Sequence, residues 1–427
     1  MCSNEEINAK HPELLAPAGN LEKLKFAVFY GANAVYIGGK NYSLRMGAEN
    51  FDIPEIKKAV DFAHANSVKV YVTINIFARN EDLDGLKEYL LDLSDIGVDA
   101  IIAADPGVFS IAKKIIPKMS IHVSTQANVT NVASAKFWKE MGATRVTLAR
   151  ELSFSEIKEI AQSVDIETEA FVHGAMCIAY SGRCLMSKYL ADRDANRGDC
   201  AHSCRWKYFL VEEKRPGVYH SIVEDKRGTY FFNSKDLCLA QHVPELLSAG
   251  VNSFKIEGRM KSLYYVAVVT NVYKQIIDNY CASPEDFVFQ DEWLNELKKV
   301  SHRGYTTGFF TQKNDCAYHS HQQANQEMVM EETNLAGYKR TYDFVGIVTD
   351  CKKKEGTVKI AVRNRISIGD EIEVLGPKKI SSFKISSMID EKNGESLNAA
   401  HANYVIDVPV GENIVKNSIL RRRISEK

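Results

Sequence analysis

Net charge is what this chain most lacks. Its 54 lysines and arginines stand against 55 aspartates and glutamates, leaving -1 at neutral pH. Any contact with nucleic acid therefore has to come from local patches rather than from a basic domain. No apolar run reaches the ~20 residues that a membrane-spanning helix needs. The opening MCSNEEINAKHPELLAPAG has neither the charged start nor the apolar stretch of a signal peptide. A cytosolic protein without a membrane partner is expected, and there thiols stay reduced, which argues against a disulfide framework. Two hydrolase devices are also missing: no HExxH to hold a catalytic zinc, and no GxSxG elbow for a serine nucleophile.

What is present is the composition of an ordinary soluble protein, 45% apolar and 26% charged. At 427 residues the chain exceeds the usual size of one core. The first part alternates short apolar runs with amphipathic segments. Strands are expected at 13 to 19, 34 to 39, 68 to 77, 100 to 109, 120 to 129, 144 to 153, 166 to 174 and 251 to 258. Eight such units over about 250 residues have the length and period of a TIM-type (β/α)8 barrel, with a doubly wound open sheet as the competitor. The barrel is placed at 11–282, a cysteine-rich insertion at 175–232 and a helical or irregular connector at 283–339. KDLCLAQHVPELLSAG reads as a helix leading into the eighth strand. From 340 to 427 the texture becomes alternating strand and turn, as in a small antiparallel β-barrel.

In a barrel of this type chemistry sits where strands end. The expected ends are polar: Asn75, Asp105, Ser124, Thr125, Gln126, Asn128, Arg150, Glu151, His173, Lys255, Glu257 and Arg259. The insertion follows the seventh strand, so it opens onto the same face. It is too rich in Cys, Tyr and Trp to be a disordered linker.

Four of the nine cysteines lie between 177 and 204. Six residues separate Cys177 from Cys184, fifteen separate Cys184 from Cys200, and three separate Cys200 from Cys204. Converging soft thiolates suit zinc or an iron–sulfur cluster. Structural zinc favours close ligand pairs, and only Cys200 and Cys204 form one, so the wide intervals among glycines suit a cubane cluster better. Radical adenosylmethionine chemistry would need CxxxCxxC, and the third cysteine is absent. Spacing alone selects Cys204 as the fourth ligand.

EAFVHGAMCIAYSGRCLMS resembles the signature of the U-thirty-two peptidase family, the collagenase-like group, matching at Glu169, Phe171, Gly174, Cys177, Gly182, Cys184 and Ser187. NRGDCAHSCRW, FNSKDLC, FKIEGRMKS and HRGYTTGF look like further blocks of that family in the right order. Some of its members carry collagenase labels; others are oxygen-independent hydroxylases with a 4Fe-4S cluster. The resemblance is strongest to those that make 5-hydroxyuridine at the tRNA wobble position, with prephenate as the implied oxygen source and co-substrate. It implies Cys177, Cys184, Cys200 and Cys238 as cluster ligands, Cys204 staying as the alternative fourth. It also implies tRNA as partner, and a second protein of the same family as a possible one.

On that reading a small dicarboxylate would be held by Arg45, Arg150, Lys255 and Arg259, with Gln126 and Asn128 nearby, because a guanidinium grips a carboxylate with two donors. Arg150 and Arg259 are the foremost of these, and Glu169, Glu257 and His173 are the candidate acids and bases. Glu169 and Glu257 could instead simply pair with the cations. Tyr180, Tyr189, Trp206 and Tyr208 are candidate platforms for an unstacked base, with Arg183, Lys188, Arg193, Arg197 and Arg205 for phosphates. Two other readings stand beside this one. A cysteine peptidase would use one thiol activated by His173 or His202. A non-catalytic RNA- or ribosome-binding protein would rely on Tyr305 and Phe309, and on the run Arg421 to Arg423, which otherwise reads as a solvated tail.

Overall fold

The computed structural model describes residues 11–45, 48–177, 179–180, 183–205, 210–211, 219–220, 235–311, 338–352, 356–410 and 414–424. Eight parallel strands form a closed barrel: β1 (Glu13–Pro17), β2 (Ala34–Gly38), β3 (Lys69–Ile74), β4 (Ala100–Ala103), β5 (Ser120–Val123), β6 (Arg145–Thr147), β7 (Glu167–Ala175) and, later in the chain, β11 (Ser253–Ile256). Each pairs with the next, and β11 closes the ring on both β7 and β1. This is the expected TIM-type barrel. Its strands are near-continuous apolar runs because helices cover them outside and side chains fill them inside.

The outer helices are α1 (Leu21–Phe29), α2 (Ile53–His64), α3 (Leu86–Ile96), α4 (Pro106–Ile115), α5 (Val132–Glu140), α6 (Phe154–Ser163), α8 (Val243–Ser248) and α9 (Leu263–Ala282). Their starts are set locally. Asp52 with Glu55, and Ser153 with Glu156, form capping boxes, while Asp105 accepts from the Val108 N–H. Asp105 is therefore a helix cap rather than a site residue.

Between β7 and β11 lie α7 (Met186–Ala191), a two-stranded ribbon of β8 (Leu210–Val211) and β9 (Tyr219–His220), and β10 (Asp236–Cys238). The helix expected from KDLC onward begins only at Val243, with Pro244 in its first turn. Residues 236–238 instead add antiparallel to the end of β7, and β12 (Tyr305–Thr306) adds to β10. Buried Asp236 explains the strand, since the Arg303 guanidinium meets it at 2.5 Å and its own N–H donates to the Gly304 carbonyl.

The C-terminal domain is antiparallel. Its sheet runs β17 (Ile380–Lys384), β16 (Glu371–Leu375), β21 (Ile419–Arg423), β13 (Tyr342–Lys352), β14 (Thr357–Val362), β20 (Val405–Pro409), β18 (Ile389–Asp390), with β15 (Ile366–Ser367) and β19 (Ala399–Ala400) paired beside it. Through it the Arg421 to Arg423 run departs from the solvated tail expected of it. Arg421 lies in β21, fully buried, and pairs with Glu296 at 2.7 Å and Glu373 at 2.8 Å. α10 (Asp291–Leu297) supplies Glu296. The Tyr30 hydroxyl donates to the Leu375 carbonyl at 2.7 Å and accepts from the Ile419 N–H. These contacts fix the domain against α1, α9 and α10, on the flank of the barrel.

The barrel interior is ionic as well as apolar. Arg145, almost wholly buried, pairs with Glu13 and Glu167 at the strands' N-terminal ends and with Glu169 one layer up. Glu169, completely buried, accepts from Lys255 Nζ at 2.7 Å, Thr147 at 2.8 Å and Ser253 at 3.1 Å. Burial opposes ionisation of Glu169, but Lys255 and Arg145 outweigh it and hold the pKa down to about 2, from 4.5. A carboxylate depressed in the fold contributes stability that is present above its unfolded pKa and lost as pH falls through the folded one. Glu169→Gln strands the buried Lys255 ammonium, while Arg145 keeps Glu13 and Glu167, and should cost ~3–5 kcal/mol at neutral pH. Urea unfolding across pH should show that gap narrowing between pH 4.5 and about 2; a constant gap would remove the charge from the explanation.

Candidate active site

The C-terminal ends of the strands enclose a pocket of about 510 Å³, open mouth included. Its walls include Arg45, Gln126, Arg150, Lys255, Glu257 and Arg259, six of the residues expected from the strand tips and the second loop. Tyr36, Thr73, Asn75, Ile102 and Phe171 complete much of the lining. Lys255 forms part of the floor: its ammonium rests on Glu169 and lies 4.7 Å from the centre of the Tyr36 ring. Burial lowers its pKa, and Glu169 works against that shift.

Arg259 is the clamp of this pocket. Its Nη1 donates to Ser43 at 2.7 Å and Thr73 at 2.8 Å, and its Nη2 donates to the Leu44 carbonyl and to Asn50 Oδ1, both at 2.7 Å. Burial drops its pKa to about 10. The guanidinium passes so close to Gly38 that a Cβ there would stand 2.3 Å from Nη2. Four of its donor contacts thus go to the loop after β2 and to β3, leaving less for a bound acid than the strand-tip reading expected.

That loop carries Arg45, held at φ 78° and facing Glu257 at 3.5 Å. Burial lowers the Arg45 pKa, but Glu257 and the sulfur atoms of Cys177 and Cys200 together raise it above its ordinary value. Arg45 lines the pocket beside Glu257. Arg150 lies over the Phe171 ring and donates to the Ala175 carbonyl at 2.7 Å, tying down the chain two residues before Cys177. Asn75 and Ser124 both donate to Gln126 Oε1, which fixes that amide in the wall.

The thiol-bearing segment docks on the same face. Asn196 clasps the Cys184 backbone through both its N–H and its carbonyl, at 3.1 Å each, and accepts from the Phe77 N–H beyond β3. Arg197 grips Asp82 with both nitrogens, at 3.0 and 2.8 Å. Cys177, Cys184, Cys200 and Cys204 are outside any disulfide. Among the described residues, no three histidine, cysteine, aspartate or glutamate side chains stand close enough together to hold a metal ion.

Other expected site residues lie elsewhere. Glu169 is sealed beneath Lys255. Asn128 caps the short turn after β5 at φ 52° and donates to the Gln126 carbonyl. His173 is 1% exposed, ringed by Tyr265, Tyr273 and Tyr305, and burial drops its pKa to about 3. Cys238 sits opposite His173 in register, 4.0 Å from the Tyr273 hydroxyl, and burial pushes its thiol up to about 11. A cysteine nucleophile needs the opposite shift, so this pair is not an activated one. Tyr180, Tyr189 and Arg183 are exposed, while Lys188, Arg193 and Arg197 pair with carboxylates. Tyr305 is half-buried against His302, and Phe309 is exposed. Trp206, Tyr208 and the Arg205 side chain lie outside the described residues.

Strand-tip reasoning missed Glu13 and Arg145, which support the pocket from below, and Tyr36 and Phe171 in its wall. The available signal was a charged residue at an inward position of an otherwise apolar strand.

Comparison with known proteins places this geometry. Residues 19–320 match the description of peptidase family U32, and residues 340–421 match that of the U32 C-terminal domain. The chain belongs to peptidase family U32. Within the U32 family it is similar to "tRNA hydroxylation protein P1" of Bacillus subtilis, 43% identical over 422 residues, covering 98% of this chain and 97% of that one. It is also similar to "tRNA hydroxylation protein P" of Escherichia coli, 37% identical over 453 residues and 96% of each chain. A 23S rRNA 5-hydroxycytidine synthase of the same organism is 32% identical over 392 residues, covering 91% of this chain and 56% of the other.

Arg259→Lys should loosen the loop at 39–52, because an ammonium cannot reproduce the planar fork. A loss of about 2–4 kcal/mol is expected from several charged hydrogen bonds acting together, measured by denaturant unfolding of the two proteins. An unchanged midpoint would show that the clamp is dispensable.

Proposed function

We propose that this chain hydroxylates RNA, with tRNA as substrate and 5-hydroxyuridine at the wobble position as product. The observation that carries the reading is a cation-walled pocket directly beside a segment rich in reduced thiols, in a chain matching a tRNA hydroxylation protein over nearly its whole length. Such work belongs in the cytoplasm, and no described helix is long and apolar enough to cross a membrane.

The pocket suits a small dicarboxylate, prephenate in this proposal, serving as oxygen source. Lys255 and Arg150 supply fixed positive charge, Arg45 closes the rim, and the Gln126 amide orients the acid. Glu257, partly exposed and beside Arg45, is the proton-transfer group best placed toward the pocket. Tyr36 and Phe171 keep water from one wall.

A 4Fe-4S cluster fits the donor set in kind: Cys177, Cys184 and Cys200 are free thiols on one segment, and they would have to draw together to hold it. Cys238, its thiol 4.0 Å from the Tyr273 hydroxyl, is the fourth ligand that the family resemblance implies, and Cys204 on the same segment as the other three is the alternative. Ligand shells of this type commonly close as the metal binds. Bound there, the cluster would supply electron transfer or polarisation next to the acid. The chain's own contribution is to hold the thiols through Asn196 and to hold the acid through its cations.

The test is nucleoside mass spectrometry of tRNA from a strain lacking the gene, complemented with the native protein or with Cys177→Ser. Hydroxyuridine-derived nucleosides should disappear on deletion, return with the native chain and stay absent with the variant. A profile unaffected by deletion would defeat the reading.

A further inference from the structure

We propose that Tyr180, Leu185 and Tyr189, exposed on the thiol-bearing segment that docks on the strand-tip face, form a stacking platform for the single-stranded loop of the RNA substrate. This rests on the RNA-hydroxylation reading and extends it to where the RNA docks. Large apolar side chains are ordinarily at least half covered, yet Tyr189 is 88% exposed, Leu185 74% and Tyr180 57%. All three belong to the thiol-bearing segment, which is pinned to the strand-tip face from beneath.

The pinning is extensive. Asn196 holds Cys184 on one side and the chain after β3 on the other. The Ser187 hydroxyl donates to the Arg193 carbonyl at 2.7 Å and accepts from the Ala201 N–H at 2.9 Å, so α7 is fastened to the turn that follows it. Leu185 and Tyr189 thus stand on a fixed base, and a ligand meets them with little of the ordering cost that a mobile loop would impose.

The electrostatics select the kind of contact. Lys188 faces Asp192 at 2.6 Å, Arg193 faces Asp199 at 2.7 Å and Arg197 faces Asp82 at 2.8 Å. Each of these three cations already has a carboxylate, and Arg183 is exposed on the same segment, so this surface offers ring area with little net charge. Rings of this kind bind unpaired bases of any sequence. A base must leave its neighbours to enter a pocket, and an aromatic platform on the same face replaces the stacking it gives up.

Binding of full-length protein to total tRNA from cells lacking the gene, followed by fluorescence anisotropy at several salt concentrations, tests this. Tyr180→Ala and Tyr189→Ala should each weaken binding by about tenfold, in the range of one lost base stack. Tyr→Phe at either position should restore it, and the slope of affinity against salt should stay as in the native protein. Phe137→Ala is the control, a ring 50% exposed on α5 in the outer helix ring, and should bind normally. Native affinity in both tyrosine variants overturns the platform and assigns the patch to a protein partner. A loss shared by Phe137→Ala, or a changed salt slope, also overturns it. Affinity is scored without reference to modification, so an unchanged nucleoside profile on deletion would defeat hydroxylation while a tyrosine-dependent affinity still upheld the platform.

Discussion

The Lys255–Glu169 contact, 2.7 Å long and shut off from solvent, decides what the barrel can hold. Moving two charges out of water costs several kcal/mol per ion, and the fold offsets this by continuing the pairing downward through Arg145 to Glu13 and Glu167. An interior filled only with valine and isoleucine would be simpler, but it would leave no fixed charge at the pocket floor. Because Lys255 is anchored from below, its ammonium is held in one place at the pocket floor. Arg259 serves the wall in the same manner, spending its donors on the loop that presents Arg45.

Two chambers therefore share one boundary. The pocket wall and the thiol segment are joined by Arg150 at Ala175, by Asn196 at Phe77 and by Arg197 at Asp82. Arg45 lines the pocket and faces Glu257 at 3.5 Å. Gly174 lets β7 turn out of the barrel toward the cysteines: its φ is 114°, and a Cβ would stand 2.6 Å from the Glu257 carbonyl oxygen. A position that only glycine fits is thus part of what leads the chain from the barrel to the thiol segment.

The barrel was legible because its signal is periodic: eight apolar runs at regular spacing leave few other ways to bury them. The pocket was legible from polar residues just beyond those runs, and Arg45, Gln126, Arg150, Lys255, Glu257 and Arg259 meet there. Side-chain direction was not legible. Glu169 and Lys255 look alike in the sequence as charged residues within strands, yet one is buried under the other. Arg421 read as part of a basic tail because its partners, Glu296 and Glu373, are far away in the chain. The strand at Asp236–Cys238 was hidden for the same reason, since its shape comes from β7 and Arg303 rather than from its own composition.

The central claim is that reduced thiols on the pocket face hold iron and sulfide beside an anion site. Anaerobic purification with iron and acid-labile sulfide analysis, together with the visible spectrum before and after Cys177→Ser or Cys184→Ser, tests it most directly. The account predicts a brown protein with iron and sulfide in equal amount, and loss of both colour and iron in each variant. A colourless native protein, or one whose iron survives removal of either thiol, would contradict it.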